Sequence, residues 1–243
     1  MKGHEIALLV AAFASELLGT VGGFGSSTFF VPLANLFEGV RVVLAVTALL
    51  HVFGNAAKLA LFGRYIDRSL LLLFCVPATL MTALGAWLTD KVPTADLELA
   101  LGAMLVLLST VFLVAPRLRV PTTKRAVVSA SALSGFLTGL VGTGGAIRGL
   151  TLAGFQIEKN VFVATSAAID LPGDLVRGAI YLQKGYLDRS HFFYIPLLLV
   201  VAYAGTKVGE RLLRRFSEKT FRTIVLTLIL SVGLLTVGKA FFR

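Results

Sequence analysis

A glycine-rich break between two apolar stretches constrains the fold of this chain more than any other feature. The stretches cover residues 127–141 and 150–155, and the sequence Gly-Thr-Gly-Gly at 142–145 separates them. Small residues allow a sharp backbone turn and leave backbone amides uncovered. The flanks are apolar enough to lie in lipid, where uncovered backbone is tolerated only if it lines a cavity or is buried in protein. The break therefore predicts a broken or re-entrant helical hairpin.

The same break occurs once in each half of the chain. Glycines recur at a distance of 120 residues, at Gly19, Gly22 and Gly25 and again at Gly139, Gly142 and Gly145. Arg148 follows the second break within one helical turn. A charge at that depth in a membrane is costly, so Arg148 is a candidate functional residue.

The composition excludes an ordinary soluble domain. Hydrophobic residues make up 56% of the chain and charged residues 15%, with a mean hydropathy of +0.86. Soluble domains carry about 25% charged residues. Near-continuous apolar runs, such as residues 70–88, are typical of helices that cross a membrane and not of alternating barrel strands. We expect an all-α polytopic membrane protein in contact with the lipid bilayer.

The net charge of +10 does not indicate a nucleic-acid partner, because the basic residues lie in short loops between apolar runs. The positive-inside bias of membrane proteins explains that distribution better. Cys75 is the only cysteine, so no intramolecular disulfide can form. Three histidines without ligand spacing predict no metal site, and nothing in the sequence calls for a cofactor.

The apolar runs divide into two sets of five. They cover residues 6–21, 24–37, 42–62, 70–88, 97–114, 127–141, 146–155, 161–182, 192–213 and 221–242. The second and seventh runs are short and follow the glycine breaks. Tyr65-Ile66-Asp67-Arg68-Ser69 also matches Tyr186-Leu187-Asp188-Arg189-Ser190 at an offset of 121 residues. We predict one membrane domain over residues 1–243, with repeats at 1–120 and 121–243.

Loop charges predict that the repeats are inverted. The loops at residues 116–125 and 210–222 are strongly basic and should be cytoplasmic. Residues 63–68 are then inside, and residues 89–96 and both termini are outside. This topology places Arg68 and Arg119 in the cytoplasm and Asp90 and Arg189 outside. The N-terminus resembles a signal peptide, but its cleavage would remove half of the first hairpin, so we expect it to be retained.

Two polar stripes occupy matching helices. His51, Asn55 and Lys58 have the spacing i, i+4, i+7, and so do Asp170, Asp174 and Arg177. Matching stripes that each end in a cation predict a shared polar cavity. The alternative is that the charges only pair to hold helices together, or that Lys58 reaches an interface. Asp174 is expected to pair with Arg177 or Lys58, while Asp170 and His51 are candidates for proton coupling.

The two breaks together predict an anion site near the membrane midplane. Helix N-termini bind anions through free amides and a positive dipole, and arginine adds a fork of donors. The predicted contacts are Gly22, Gly23, Gly25, Ser26, Ser27, Thr143, Gly144, Gly145 and Arg148, with Lys58 and Arg177 nearby. The three cations Lys58, Arg148 and Arg177 outnumber the two aspartates Asp170 and Asp174. The predicted site therefore has a net charge of +1, which favours an anion.

The paired glycine breaks, the sequence Thr28-Phe29-Phe30-Val31-Pro32 after the first break, and the inverted apolar repeats resemble the TauE/SafE family of sulfite exporters. Leu152 stands where a second-half counterpart of Pro32 would be. The resemblance covers essentially the whole chain. It implies a multi-pass transporter in the cytoplasmic membrane for sulfite, sulfoacetate or another organosulfonate, or thiosulfate.

Residues and resemblance together favour a secondary transporter of a small sulfur-containing anion, with export as the expected direction. An anion channel of similar selectivity is the alternative, and it would differ by showing a flux without saturation. A membrane enzyme or a partner-anchoring protein is disfavoured because no catalytic arrangement or large polar loop is present. A homo-oligomer is compatible with the sequence.

Overall fold

A computed structural model describes residues 3–22, 25–115, 121–188 and 191–213, together with 227, 230–231 and 233–238. Its helices are α1 (Gly3–Gly22), α2 (Ser27–Ala34), α3 (Val40–Phe62), α4 (Arg68–Leu88), α5 (Thr94–Val114), α6 (Lys124–Val141), α7 (Gly145–Ala153), α8 (Lys159–Gln183) and α9 (Tyr194–Leu213). The described residues contain no strand, so the all-helical prediction is confirmed for them. Most of the tenth predicted apolar segment lies outside this part of the chain.

Helix lengths and surfaces fit a lipid environment. Within the described ranges, three helical stretches are long and apolar enough to cross a membrane, and they cover Val40–Tyr65, Arg68–Lys91 and Thr94–Val111. One face of α4 exposes Leu72, Val76, Leu80 and Leu84, whose exposed fractions range from 40% to 71%. A continuous exposed stripe of large apolar residues marks a surface that contacts lipid or another protein.

The short helices α2 and α7 begin directly after the glycine breaks. Gly142 follows α6 with φ of +82°, and Gly25 precedes α2 with φ of +83°. Only glycine adopts this left-handed conformation at little cost, which explains why the sequence has glycine at both positions. The position of these short helices in the membrane, and hence their re-entrant character, remains a prediction.

Small residues let α4 and α6 pack at very close range. A Cβ atom on Gly135 would lie 2.1 Å from the carbonyl oxygen of Ala78, and one on Gly139 would lie 2.1 Å from that of Thr82. These two glycines therefore mediate the close packing of α4 and α6. In the matching pair of helices, α9 packs on α1. There a Cβ on Gly209 would lie 2.9 Å from Cβ of Thr20.

The central helices α3 and α8, which correspond to each other in the predicted repeat, run antiparallel. At one end, the guanidinium of Arg41 near the start of α3 lies 5.8 Å from the ring centre of Tyr186, just after α8. At the other end, the backbone N–H of Asp67 donates to Thr165 Oγ1 in the second turn of α8, at 2.9 Å. The polar stripe of α3 therefore faces that of α8, and the two stripes run in opposite directions.

Candidate functional site

Three buried ion pairs occupy the centre of the described structure. Lys58 Nζ lies 2.5 Å from Glu16 Oε1, Arg177 NH2 lies 2.9 Å from Asp174 Oδ1, and Arg148 pairs with Asp170. All six residues except Asp170 are buried, and its side chain is 16% exposed. Ions removed from water are tolerated only with close partners and further hydrogen bonds. Each of these pairs has such bonds.

Glu16 is a central residue that the sequence analysis missed. Its carboxylate accepts hydrogen bonds from Lys58, from Ser26 Oγ at 2.6 Å and from Thr206 Oγ1 at 3.2 Å. It also packs on Gly54, where an added Cβ would lie 2.5 Å from Oε1. The sequence signal was present, because Glu16 is the only acid inside the apolar segment at residues 6–21.

The predicted positive excess of this region is therefore wrong. Three cations face three carboxylates once Glu16 is counted, so the cluster is balanced when His51 is neutral. An anion cannot be attracted here merely as the missing counter-charge. It must share a cation with a carboxylate, or replace that carboxylate as the partner.

The two polar stripes meet at Asp174. Its carboxylate accepts from Asn55 Nδ2 at 2.8 Å and from Arg177 Nε at 2.9 Å, while His51 Nδ1 lies 3.6 Å away. Of the two partners predicted for Asp174, the structure selects Arg177 and not Lys58. Asn55 and Asp174 contact each other across the α3–α8 interface, and they occupy matching positions of the predicted repeat.

Arg177 forms hydrogen bonds to the backbone at the second glycine break. Its side chain has no exposed surface, and NH1 donates to the carbonyl oxygens of Thr138 at 3.3 Å and Gly142 at 3.4 Å. Carbonyls at the end of a helix lack partners within the helix, so the guanidinium satisfies those at the end of α6. Arg177 does not line either of the cavities described below.

The two glycine breaks lie next to each other around Arg148. Arg148 is in the first turn of α7, where Nε donates to Ser166 Oγ at 3.2 Å. A Cβ on Gly25 would lie 3.7 Å from Arg148 NH2 and 3.9 Å from Cα of Gly145. The hydroxyl oxygens of Thr28 and Thr143 are 3.4 Å apart. Segments separated by 120 residues in sequence thus form one region.

Close packing explains the glycine at the N-terminal end of α7. A Cβ on Gly144 would lie 2.0 Å from the carbonyl oxygen of Ser134, and the hydroxyl of Ser134 donates to the carbonyl of Gly144 at 2.8 Å. The break is therefore held against α6 by backbone contact. The amides that begin α7 remain directed away from their own helix, as in any helix N-terminus.

A narrow cavity, here called the tip cavity, opens beside Arg148. Its lining is Gly19, Thr20, Gly25, Asn55, Lys58, Arg148, Phe162, Val163, Ser166, Ala167 and Asp170. Of the predicted site residues, Gly25, Lys58, Arg148 and Asp170 reach this cavity. Ser26, Ser27 and Thr143 are buried, and Gly22 ends α1. Gly23 lies outside the described residues.

Fold and site together define a helical membrane protein with a buried, charge-balanced cluster of ion pairs beside a narrow cavity. The chain belongs to the TauE/SafE family of sulfite exporters, since the model for the family described as sulfite exporter TauE/SafE matches residues 7–236. The resemblance found in the sequence is thereby confirmed, and the family is one of transporters. No curated protein matches the chain.

Proposed function

We propose that this protein is a secondary transporter that exports a sulfur-containing anion across the cytoplasmic membrane. The substrate class is sulfite, an organosulfonate such as sulfoacetate, or thiosulfate, in keeping with the family. One observation carries the proposal: the cations Lys58 and Arg148 line a cavity at the meeting point of the two glycine breaks. Several convergent donors suit an oxyanion better than a neutral or cationic ligand.

In this proposal Arg148 exchanges its partner. The guanidinium releases Asp170 and donates to the substrate, which also accepts from backbone amides of residues 25–27 and 143–146, at or before the start of the two short helices. Lys58 adds a second cation to the wall of the same cavity and keeps Glu16 as its counter-ion. Arg177 contributes indirectly by holding the break in place, since its donors are directed to Asp174 and to carbonyls of α6.

Charge balance supports export as the direction. A neutral cluster that takes up one monovalent anion becomes negative overall. A membrane potential that is negative inside favours outward movement of such a complex by about 2.3 kcal/mol per charge for each 100 mV. Protonation of Asp170 or His51 would cancel this charge, so coupling to protons would make the transport step electrically neutral.

The test uses purified protein in liposomes loaded with radioactive sulfite at mildly alkaline pH, where leakage of sulfur dioxide is small. We expect efflux that saturates with sulfite concentration and accelerates when a potassium gradient with valinomycin makes the interior negative. Protein-free liposomes are the control. Efflux that never saturates would indicate the channel alternative, and no efflux with any of sulfite, thiosulfate or sulfoacetate would contradict the proposed function.

A further inference from the structure

A second cavity lies on the other side of the Arg148–Asp170 ion pair. We call it the hydroxyl cavity because helices α4 and α6 contribute five hydroxyl side chains to its wall, while α8 contributes two carboxylates. The lining is Phe74, Ala78, Thr79, Thr82, Ser131, Ser134, Gly135, Thr138, Arg148, Ile169, Asp170, Gly173 and Asp174. None of these hydroxyl residues was a predicted site residue.

One of its hydroxyls lacks a hydrogen-bond partner. Ser131 is 1% exposed, and its Oγ is buried without a partner. Its neighbours are engaged: Thr82 Oγ1 donates to carbonyls of Ala78 and Gly135, and Thr138 Oγ1 donates to that of Ser134. A buried donor without an acceptor is costly, and a ligand oxygen in the cavity would remove that cost.

The two cavities follow one another along α8. The tip cavity contacts α8 at residues 162–170, and the hydroxyl cavity contacts it at residues 169–174. Arg148 and Asp170 line both, so their ion pair forms the boundary. The predicted topology places the start of α8 at the cytoplasmic side, and the hydroxyl cavity is then the more outward of the two.

We infer that the hydroxyl cavity is a second binding station for the same sulfur oxyanion, which enters it from the tip cavity when the Arg148–Asp170 pair opens. The cavity has room for about one water molecule in this conformation, so the opening of the pair must also widen it. This inference rests on the proposed function. Hydroxyl donors bind an oxyanion less strongly than guanidinium and amides do, which suits a station before release. Once the pair has closed again behind the anion, the two carboxylates on its wall have their own partners, Arg148 for Asp170, and Arg177 with Asn55 for Asp174.

The inference is tested by filling the hydroxyl cavity without touching the tip cavity. In Ser131→Leu a larger apolar side chain replaces the unpaired hydroxyl. We expect sulfite efflux from liposomes to fall about tenfold or more, because the station loses both space and a donor, while sulfite affinity of the purified protein stays within about twofold. Ser129→Leu is the matched control, because Ser129 is on the same helix but exposed, and it should transport normally.

A second variant distinguishes loss of the binding station from misfolding of Ser131→Leu. Thr79→Val with Ser131→Ala removes two hydroxyls at nearly constant volume, and we expect about a threefold to tenfold loss of efflux with unchanged sulfite affinity. Normal efflux in these variants would overturn the second station and leave the proposed function intact. Loss of sulfite affinity in parallel with efflux would also overturn it, because the cavities would then form a single site. Absence of sulfite binding and efflux in the unmodified protein would instead contradict the proposed function.

Discussion

The charge of Lys58 is balanced by Glu16, and both residues are buried. Removing one partner of a buried ion pair leaves an uncompensated charge and typically costs about 3–5 kcal/mol. We expect Lys58→Met to destabilise the detergent-solubilised protein by roughly this amount, measured as a fall in the thermal unfolding temperature. The double variant Lys58→Met with Glu16→Gln should recover most of the loss, because no isolated ion remains.

The same double variant separates a structural role of Lys58 from a binding role. If Lys58 contacts the anion, the double variant folds but binds sulfite more weakly than the unmodified protein. Sulfite affinity equal to that of the unmodified protein would assign Lys58 to helix packing alone, which was the alternative left open by the sequence.

Arg148 is the residue on which the anion site depends most. Arg148→Gln should weaken sulfite binding by about 1.5–3 kcal/mol, the usual contribution of a hydrogen bond to a charged group. This change also leaves Asp170 without its partner. The single variant is therefore compared with the double variant Arg148→Gln with Asp170→Asn. Both should bind sulfite poorly in a direct binding assay, and the double variant should be the more stable.

Arg211→Gln is the surface control for Arg148, since Arg211 is exposed at the end of α9. Its sulfite affinity should equal that of the unmodified protein. Unchanged sulfite affinity in folded Arg148→Gln would make Arg148 structural and move the site elsewhere. Arg214, the next arginine along the chain, lies outside the described residues.

At the scale of single helices, Asp67 caps the N-terminus of α4. Its carboxylate accepts from the hydroxyl of Ser69 at 2.6 Å and from the backbone amides of Ser69 at 2.9 Å and Leu70 at 3.1 Å. These hydrogen bonds, the one from the hydroxyl most of all, lower the pKa of Asp67 below its ordinary value. The cap therefore stabilises the ionised form of this carboxyl.

Asp67→Ala should lower the free energy of unfolding by about 1 kcal/mol at neutral pH, while Asp67→Asn should retain most of the cap. A lowered pKa in the folded protein means that the stabilisation is complete above the unfolded value of about 4 and is lost as pH falls through the folded value. The difference between the native chain and Asp67→Ala should thus shrink in acid. A constant difference down to low pH would contradict the ionic cap.

Close packing of α4 and α6 gives a second prediction at this scale. Gly135→Ala places a methyl group against the carbonyl of Ala78, which belongs to backbone and cannot turn aside. We expect a destabilisation of about 1–3 kcal/mol from overpacking, measured by thermal unfolding. Gly63→Ala is the matched control, because a Cβ there meets nothing within 4 Å. Equal stability of the two variants would argue against tight contact.

For the whole molecule, contacts between helix ends agree with the topology derived from loop charges. The end of α8 and the end of α4 meet where Lys184 pairs with Asp90, and the opposite end of α8 lies near Asp67. Lys184 and its partner thus lie at the end predicted to be external. Which end faces the cytoplasm remains a prediction, and the predicted markers Arg119 and Arg189 lie outside the described residues.

Single-cysteine labelling in a Cys75→Ser background tests the inverted orientation. We expect Arg68→Cys to react with an impermeant thiol reagent only from the cytoplasmic side, and Asp90→Cys and Asp188→Cys only from outside. These three positions are exposed. Labelling of Arg68→Cys and Asp188→Cys from one side would show that the halves are parallel, because the two positions belong to matching segments of the repeat.

The sequence by itself determined the helical class and the two polar stripes, while the repeat that it indicates remains a prediction. Apolar runs of spanning length permit few alternatives in lipid, since every backbone group must be satisfied within a helix. Spacing of i, i+4, i+7 likewise fixes one helix face without knowledge of the partner, so a shared polar cavity could be predicted, although the contact of Asn55 with Asp174 was not. The family was also recognisable from the glycine breaks and the segment after the first of them.

Only the tertiary structure decided which charges meet. Glu16 and Lys58 lie on different helices, and no local pattern links them, so the balance of the cluster could not be counted correctly from sequence. Packing also directs Arg177 to α6 and leaves Arg148 between two cavities. The physical reason is that periodicity determines which face of a helix a side chain occupies, whereas its partner depends on the angle and depth at which other helices pack.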